Sequence, residues 1–332
     1  LTYSQESTTE GKEEDRRWAR WVAERYGTEH HEETIQVSNF PESLRRILTC
    51  FDEPYAGVVS TYFLAQLMSQ HVKVSLSGDG ADELFGSYLS HRLAFPLDNY
   101  QNYLRTGDVT YVRPFEKQLD FLARLAEPED WAWRYKLLVF SDAEKEELYA
   151  PDIALQMSQF STRERLRQDF SRLSARDPLN RILEAEFRTI FPDQVLTFVD
   201  RLSMAHSLEV RTAYLDTDLV SFVAGLAGDL KIKNGETKYL LKKVALKYFP
   251  PEMVNRKKEG FLMPITQWLL RDLESYVRDT LSPQRLSKHG LFKSEYVQEL
   301  VDDLYRNHSD HHAVNKVYSL LVFQEWYDLY MV

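Results

Sequence analysis

Residues 72–88 read VKVSLSGDGADELFGSY and carry the clearest structural signal in the chain. The β-branched residues of 72–76 predict a short strand, and the glycines after it predict a tight turn. Beyond the turn, the sequence predicts a helix from Glu83. The order strand, Gly-rich turn, helix is typical of α/β proteins, whose ligands bind at the carboxyl ends of parallel strands.

The sequence before this stretch continues the alternation. Residues 14–26, EDRRWARWVAERY, have apolar side chains at three-four spacing, which predicts an amphipathic helix that Gly27 ends. We expect a strand in residues 30–37 and helices after Asn39 and in residues 61–70. Together these elements predict a parallel sheet covered by helices on both faces.

The strand signals stop at about residue 92. Residues 179–191, 237–249 and 315–330 each carry apolar side chains at helical spacing, and Ser141 with Glu144 forms a capping-box pattern. The predicted fold class is therefore α/β, with a partial nucleotide-binding core in residues 1–91. A larger, mainly helical region follows in residues 92–332.

Composition excludes several classes of function. Of the 332 residues, 43% are hydrophobic and 28% are charged, as expected of a globular protein. The net charge of -10, without a basic stripe, argues against nucleic acid as a partner. The single cysteine, Cys50, excludes a disulfide framework. The polar start and the lack of a long apolar run predict a cytoplasmic protein without a membrane span.

The SGDGADE segment has a chemical and a structural interpretation. Gly78 and Gly80 let the backbone approach a ligand and aim N–H groups at phosphate oxygens, helped by the start of the next helix. Asp79, Asp82 and Glu83 supply the oxygen ligands that Mg²⁺ prefers. Acids after a glycine turn are also ordinary at a helix N-terminus, so the residues alone leave both interpretations open.

Two groups of histidines and one of aromatics are assigned structural roles. His30 and His31 are neighbours on an expected strand, where side chains alternate between faces, so we expect no metal there. Histidines 308, 311 and 312 lack an HExxH pattern and are expected at the surface near a helix start. Trp131 and Trp133 are expected to pack in the interior.

Four separated segments resemble the asparagine synthetase (glutamine-hydrolysing) family, in the family's order. Residues 75–88 resemble its second nucleotide loop, SG(D/E)G(S/G/A)DE(L/V)FGGY, with Ser87 in place of a glycine. The other resembling segments are GTEHHE (27–32) with DEPYAG (52–57), DRLSMAHSLEVRTAYLD (200–216) and NRKKEGFLMP (255–264). The chain is identified as a member of this family over nearly its whole length, matching the C-terminal synthetase region.

The resemblance implies a fold and a reaction. The fold is an ATP-pyrophosphatase-like (adenine nucleotide alpha hydrolase-like) core, truncated here at its first strand. The reaction uses ATP and Mg²⁺ to adenylate the aspartate side-chain carboxylate, releasing pyrophosphate. Ammonia from glutamine then displaces AMP to give asparagine. The family's glutaminase domain normally lies in the same longer chain; the oligomeric state is open, a homo-oligomer included.

The resemblance also assigns roles residue by residue. Asp79 corresponds to an acidic position tied to the adenylate, Asp82 to a carboxylate that helps hold Mg²⁺, and Lys258 to a lysine near the α-phosphate. The expected nucleotide contacts are Leu76, Ser77, Gly78 and Gly80. The expected substrate-side residues are Asp200, Arg201, Glu209 and Arg211. For Glu209 and Arg211, a structural ion pair is an equally good account.

The family's first nucleotide loop, SGGxDS, does not occur in residues 1–332. We expect the chain to be a fragment of a longer enzyme that begins after this loop. Two alternatives stay open. One is a related amidotransferase that adenylates another carboxylate, of the β-lactam, peptide-cyclising or surface-polymer type. The other is a non-catalytic nucleotide-binding remnant.

The 332-residue chain alone is predicted not to adenylate aspartate, because half of the pyrophosphate cradle implied by the resemblance is missing from it. The measurement is release of pyrophosphate from ATP with and without aspartate. Aspartate-dependent release by the isolated chain would contradict the prediction.

Overall fold

The computed structural model describes residues 2–3, 12–33, 35–256, 263–307 and 311–331. Within these ranges the protein is a helix-rich α/β structure with a small parallel sheet. None of the described helices combines the length and the apolar character needed to cross a membrane.

The strands form two parallel ladders. Strand β1, Thr2–Tyr3, pairs with β2, Glu32–Glu33. Strand β3, Val74–Ser77, pairs with β4, Glu209–Thr212. The predicted parallel pairing is therefore confirmed, but in the described residues it is divided between two two-stranded ladders.

Strand β4 corrects the expectation that strand signals stop near residue 92. The segment Glu209–Thr212 is only four residues long, and two of them carry charged side chains that alternate outward. Its hydrogen-bonded neighbour β3 decides its conformation, which its own weak pattern does not. The residues 92–332 thus contribute a strand to the same ladder as the glycine turn.

Twenty α-helices are present in the described residues. In chain order the first ten are α1 Lys12–Tyr26, α2 Phe40–Leu48, α3 Ser60–Ser69, α4 Ala81–Phe85, α5 Leu89–Thr106, α6 Leu119–Leu125, α7 Ala132–Tyr135, α8 Asp142–Leu148, α9 Pro151–Met157 and α10 Thr162–Ser171. The next ten are α11 Pro178–Arg188, α12 Thr197–Met204, α13 Thr217–Ala224, α14 Tyr239–Ala245, α15 Pro251–Val254, α16 Ile265–Arg271, α17 Glu274–Thr280, α18 Pro283–Leu286, α19 Ser294–Asn307 and α20 His311–Tyr330. Short 3₁₀ turns occupy Val37–Asn39, Val109–Tyr111, Arg113–Gln118, Ala213–Leu215 and Gly228–Leu230, and a π turn spans Phe191–Leu196.

Local signals in the sequence set several helix ends as predicted. Gly27 follows α1 with a φ of +63°, the left-handed conformation that glycine adopts without strain. The Ser141 hydroxyl accepts a hydrogen bond from the Glu144 backbone N–H, and the Glu144 carboxylate accepts one from the Ser141 N–H. This capping box satisfies backbone donors at the start of α8.

The main hydrophobic core joins the early helices to the C-terminal ones. Phe40, Leu44 and Ile47 of α2 are fully buried in the same cluster as Val317 and Leu321 of α20. Burial of side chains of this size contributes about 1.5–3 kcal/mol each. Trp131 and Trp133 are also buried, as expected for packing residues.

A buried carboxylate ties the C-terminal helices to α2. Glu325 of α20 is fully buried and accepts hydrogen bonds from Arg45 Nε at 2.6 Å and from Arg285 Nη2 at 3.1 Å. The Thr280 hydroxyl lies 3.2 Å from the same carboxylate. Because the charge is paired on both sides, its burial is compensated and the helix contacts are fixed in one arrangement.

The β3–β4 ladder is covered less completely than expected. Ser75 of β3 is buried, whereas Val74 and Leu76 on the other face are exposed, Leu76 by 76%. Alternation of side chains along a strand explains this division. The expectation of a sheet covered on both faces is therefore wrong for β3 in the described structure.

Candidate functional site

The candidate site is the turn that follows β3. Ser77 ends the strand, Gly78 and Asp79 form the turn, and α4 begins at Ala81. Gly80 has a φ of +93°, and a Cβ atom placed on it would lie 2.6 Å from Leu215 Cδ2. The backbone conformation therefore favours glycine here, and a Cβ atom would also displace the Leu215 side chain of the neighbouring turn.

The register of β3 and β4 brings two motifs together. Ser77 pairs with Thr212, so the SGDG turn and the Ala213–Leu215 turn leave the ladder side by side. Both turns lie at the carboxyl ends of parallel strands, where ligands bind in α/β proteins. The two segments are far apart in the sequence, and the ladder joins them at one edge.

Gly78 differs from Gly80 in its surroundings. Gly78 is exposed, and a Cβ placed on it would have no protein atom within 4 Å. Packing within the described residues therefore gives no reason for glycine at this position. Asp79, which follows it, is half-buried, and its backbone N–H lies 3.4 Å from Ser77 Oγ.

Asp82 is held by a cation. The Lys238 ammonium lies 2.8 Å from Asp82 Oδ1, and the Ser87 hydroxyl donates to the same oxygen. Lys238 precedes α14 with a φ of +53°, and its backbone N–H donates to Gly86 O at 3.2 Å. Lys238 thus contacts the candidate loop through both backbone and side chain.

From the sequence alone, Lys238 has the ordinary interpretation of a surface residue at the start of the helix predicted in residues 237–249. The available signal was weak, because a lysine before an amphipathic helix usually reaches into solvent. Only the tertiary contact between α14 and α4 identifies its partner. The structure therefore adds Lys238 to the residues of the candidate site.

Glu83 points away from the other two acids of the motif. It is 3% exposed, and its carboxylate accepts a 2.6 Å hydrogen bond from the Tyr88 hydroxyl. Burial raises the pKa of Glu83, although the bond from Tyr88 opposes the rise. Asp79 and Asp82 are partly exposed to solvent, whereas the Glu83 carboxylate is buried. Glu83 therefore does not share the solvent-accessible position of the other two acids.

A buried polar chain supports the end of the loop. The backbone N–H of Ser87 donates to His91 Nδ1 at 2.9 Å, which leaves Nε2 as the donor to Glu186 at 2.7 Å. Arg134 Nη1 donates to the other oxygen of Glu186 at 2.6 Å. His91 is fully buried, so these bonds fix the loop from inside.

The Glu186 carboxylate in this series of hydrogen bonds stays ionised. Burial works against ionisation of Glu186, but hydrogen bonds from His91 and Arg134 and the positive charge of Arg134 outweigh it and lower its pKa to about 2. His91, Glu186 and Arg134 are far apart in the sequence, and no local pattern identifies them as partners.

The electrostatic field of the α4 helix dipole contributes less to anion binding than the sequence predicted. This helix has five residues, from Ala81 to Phe85. Because a helix dipole sums over aligned peptide units, so short a helix adds little to anion binding. Among the described residues, backbone N–H groups of the turn and the Lys238 ammonium are therefore the candidates for phosphate binding here.

The remaining predicted residues lie in four places, on β4, on β3, on α12 and in residues 257–262. Glu209 and Arg211 lie on β4 beside Val74 and Leu76, and Arg211 Nε donates to Glu209 at 2.9 Å in an exposed ion pair. This geometry agrees with the structural account of the pair. Leu76 points outward from β3, so its contact with a nucleotide remains a prediction.

Asp200 and Arg201 lie on α12. Asp200 is exposed, whereas Arg201 Nη1 donates to Cys50 O at 3.3 Å and lies 3.6 Å from the Asp52 carboxylate. Arg201 therefore links the DRLSM segment to the DEPYAG segment. Lys258 lies in residues 257–262, outside the described residues, as do residues 308–310 and the side chain of His311.

Replacing Gly80 with alanine is predicted to destabilise the protein by about 2–4 kcal/mol, because strain at positive φ adds to the clash with Leu215. Gly107→Ala is the matched control: its φ is +73°, but its Cβ would meet open space, so about 1 kcal/mol is expected. Urea unfolding measures both. Equal losses would contradict the packing of the two turns.

Acid is predicted to weaken the protein through Glu186. Its folded pKa of about 2 lies below the ordinary 4.5, so its stabilisation is complete above pH 5 and is lost as pH falls toward 2. The shift corresponds to about 3 kcal/mol. Urea unfolding between pH 6 and 3 should give a shallower pH dependence for Glu186→Gln than for wild type, while the exposed control Glu299→Gln keeps the wild-type slope. An unchanged slope in Glu186→Gln would contradict the assignment.

Comparison with known proteins gives consistent matches. Asparagine synthetase [glutamine-hydrolyzing] 1 of Bacillus subtilis (strain 168) is 29% identical over 323 residues, covering 94% of this chain and 49% of that protein. A putative asparagine synthetase [glutamine-hydrolyzing] of Mycobacterium bovis is 26% identical over 321 residues, covering 93% and 48%. Another, from Methanocaldococcus jannaschii, is 28% identical over 204 residues, covering 59% and 38%.

This chain spans about half the length of the first two relatives. The family model described as asparagine synthase matches residues 2–328, nearly the whole chain. The predicted family membership is thereby confirmed, and the chain belongs to the asparagine synthase family.

Proposed function

We propose that this chain is the synthetase region of a ligase that forms asparagine. In this proposal ATP activates the side-chain carboxylate of aspartate as an aspartyl adenylate, with release of pyrophosphate. Ammonia derived from glutamine then displaces AMP. The names of the relatives support this reaction class, and the ladder edge that joins SGDGAD to the Ala213–Leu215 turn supports the location.

The single observation that carries the proposal is the contrast between the two glycines. Gly80 is favoured by its positive φ, whereas a Cβ placed on Gly78 would have no neighbour within 4 Å among the described residues, its chain neighbours apart. A glycine without a packing reason at the carboxyl end of a parallel strand is expected where a backbone approaches a ligand closely. The triphosphate of ATP is such a ligand, since it accepts hydrogen bonds from backbone N–H groups.

The charges around the turn fit a nucleotide with Mg²⁺. Asp82 is a partly exposed carboxylate, the ligand type that Mg²⁺ prefers, and it lies beside the Lys238 ammonium. When bound, Mg²⁺ would neutralise phosphate charge. Lys238 can exchange its contact with Asp82 for a phosphate oxygen, because both partners are anionic and the side chain is flexible.

The role of each acid follows from its surroundings. Asp79 is half-buried at the tip of the turn and is proposed to act on the aspartate side, near the forming adenylate. Glu186, His91 and Arg134 hold the loop and do not reach the substrate. Lys258 is proposed to lie near the α-phosphate, where an ammonium group stabilises charge as pyrophosphate leaves.

The finer fold and the wider assembly are part of the same proposal. The two parallel ladders are proposed to belong to an ATP-pyrophosphatase-like core. The glutaminase activity named for the relatives is proposed for a domain outside residues 1–332, which would supply ammonia. A cytoplasmic location is proposed because ATP and aspartate are cytoplasmic metabolites.

Two variants test the proposal by separating binding from folding. Gly78→Ala should leave the free energy of unfolding within about 0.5 kcal/mol of wild type, because its Cβ meets open space. It should nevertheless weaken ATP binding at least about tenfold, since the methyl group blocks the approach of phosphate. Isothermal titration with Mg·ATP measures the affinity.

Asp82→Asn should also weaken Mg·ATP binding, and in the full-length enzyme it should lower aspartate-dependent pyrophosphate release at least about a hundredfold. Asp152→Asn is the control, because Asp152 is an exposed carboxylate in the first turn of α9, away from the loop. Wild-type ATP affinity in Gly78→Ala and Asp82→Asn would refute the proposed site. ATP binding without aspartate-dependent release by the full-length protein would instead favour a non-catalytic remnant.

A further inference from the structure

A second cluster of ligand-type side chains lies at the opposite edge of the ladders. Glu29, His31 and His71 each place one potential ligand atom within 4.8 Å of the others. Glu29 and His31 directly precede β2, and His71 lies between α3 and β3. All three therefore stand at the amino ends of parallel strands.

This position separates the cluster from the nucleotide loop. Asp79 follows the carboxyl end of β3, whereas His71 precedes its amino end. The four residues of β3 alone span about 13 Å. The cluster therefore cannot serve the phosphates that the SGDGAD turn is proposed to bind.

The neighbouring residues divide into two distinct pairs. His30 Nε2 lies 3.0 Å from Glu32 Oε1, and Glu32 also pairs with Arg20 at 2.7 Å. His31 turns the other way, with its Nε2 3.0 Å from Glu29 Oε1 and its ring 3.6 Å from the ring of His71. Alternation along the chain thus keeps His30 and His31 apart, as expected, but His31 finds partners elsewhere.

From this arrangement we propose that Glu29, His31 and His71 bind a divalent transition-metal ion of the Zn²⁺ class. Two imidazoles and one carboxylate are ligands that Zn²⁺ takes, and hard cations such as Mg²⁺ prefer oxygen alone. Three protein ligands leave the fourth position to water, so the site is open to solvent.

The adjustment needed for coordination is small. Zn²⁺ bonds of about 2.0–2.1 Å at tetrahedral angles place ligand atoms about 3.3 Å apart. The potential ligand atoms of Glu29, His31 and His71 already lie within 4.8 Å of one another. The stacked rings must tilt so that their nitrogens converge. His71 is exposed, and the Glu29 side chain is 83% exposed, so both can reorient without disturbing the core.

Binding at this place would join the two ladders. His31 is next to the β1–β2 ladder, and His71 is next to the β3–β4 ladder. Their ring contact already crosses between them, and a shared ion would add a bond to each side. The site therefore acts as a structural clamp, whose occupancy raises the stability of the protein.

Competition between the full chain and a chromophoric chelator for Zn²⁺ tests the proposal. One Zn²⁺ per chain is expected, with no competition from Mg²⁺. His71→Gln and Glu29→Gln should weaken Zn²⁺ binding at least about tenfold, since each removes a ligand. His30→Gln is the matched control, because its imidazole contacts Glu32 instead, and it should keep wild-type Zn²⁺ affinity.

Two further measurements distinguish a loss of the Zn²⁺ ligand from misfolding of the variant. Circular dichroism should give the same spectrum for wild type and His71→Gln, because His71 is exposed. Zn²⁺ should raise the thermal unfolding midpoint of wild type and His30→Gln but not of His71→Gln. The proposal fails if wild type binds no Zn²⁺, if His71→Gln binds it as tightly as wild type, or if X-ray absorption finds no imidazole nitrogens around the ion.

Discussion

The parallel pairing of β3 with β4 is the constraint on which the candidate site depends. It sets Ser77 opposite Thr212 and so makes the glycine turn leave the ladder beside the Ala213–Leu215 turn. Gly80 then packs so closely on Leu215 that a Cβ atom at this position would displace the Leu215 side chain, in addition to the strain of its positive φ. Because the turn is held by backbone pairing on one side and by this contact on the other, its N–H groups are oriented before any ligand arrives. Preorganised donors of this kind stabilise anions without the cost of reordering the loop.

The interior behind the turn serves the same purpose with different chemistry. His91 accepts from the backbone of Ser87 and donates to Glu186, and Arg134 neutralises that carboxylate. A buried polar chain is favourable only when every member is paired, and the pairs described here meet that condition at each step. On the outer side, Lys238 and Asp82 form a pair in which both members stay partly exposed to solvent. The loop thus has a rigid inner side and an adaptable outer side.

Sequence patterns predicted the local elements of this arrangement well. The strand before SGDGAD, the helix that Gly27 ends and the capping box at Ser141 all follow from the chemistry of a few neighbouring residues. Strand β4 was missed because its four residues, EVRT, have no conformational preference strong enough to stand out without their partner strand. Lys238 and the group of His91, Glu186 and Arg134 were missed for a related reason: their partners are distant in the sequence, and only the packed structure brings them together. A single sequence rarely identifies residues whose roles depend on contacts between distant segments of the chain.

The central claim is that the turn after β3 receives the phosphates of ATP. Amide hydrogen exchange with and without Mg·ATP tests it most directly, because backbone N–H groups that bind phosphate exchange more slowly. The account predicts slower exchange confined mainly to residues 77–82, with a smaller effect in residues 212–215. Saturating Mg·ATP that leaves exchange in residues 77–82 unchanged, while slowing it elsewhere in the chain, would contradict the account.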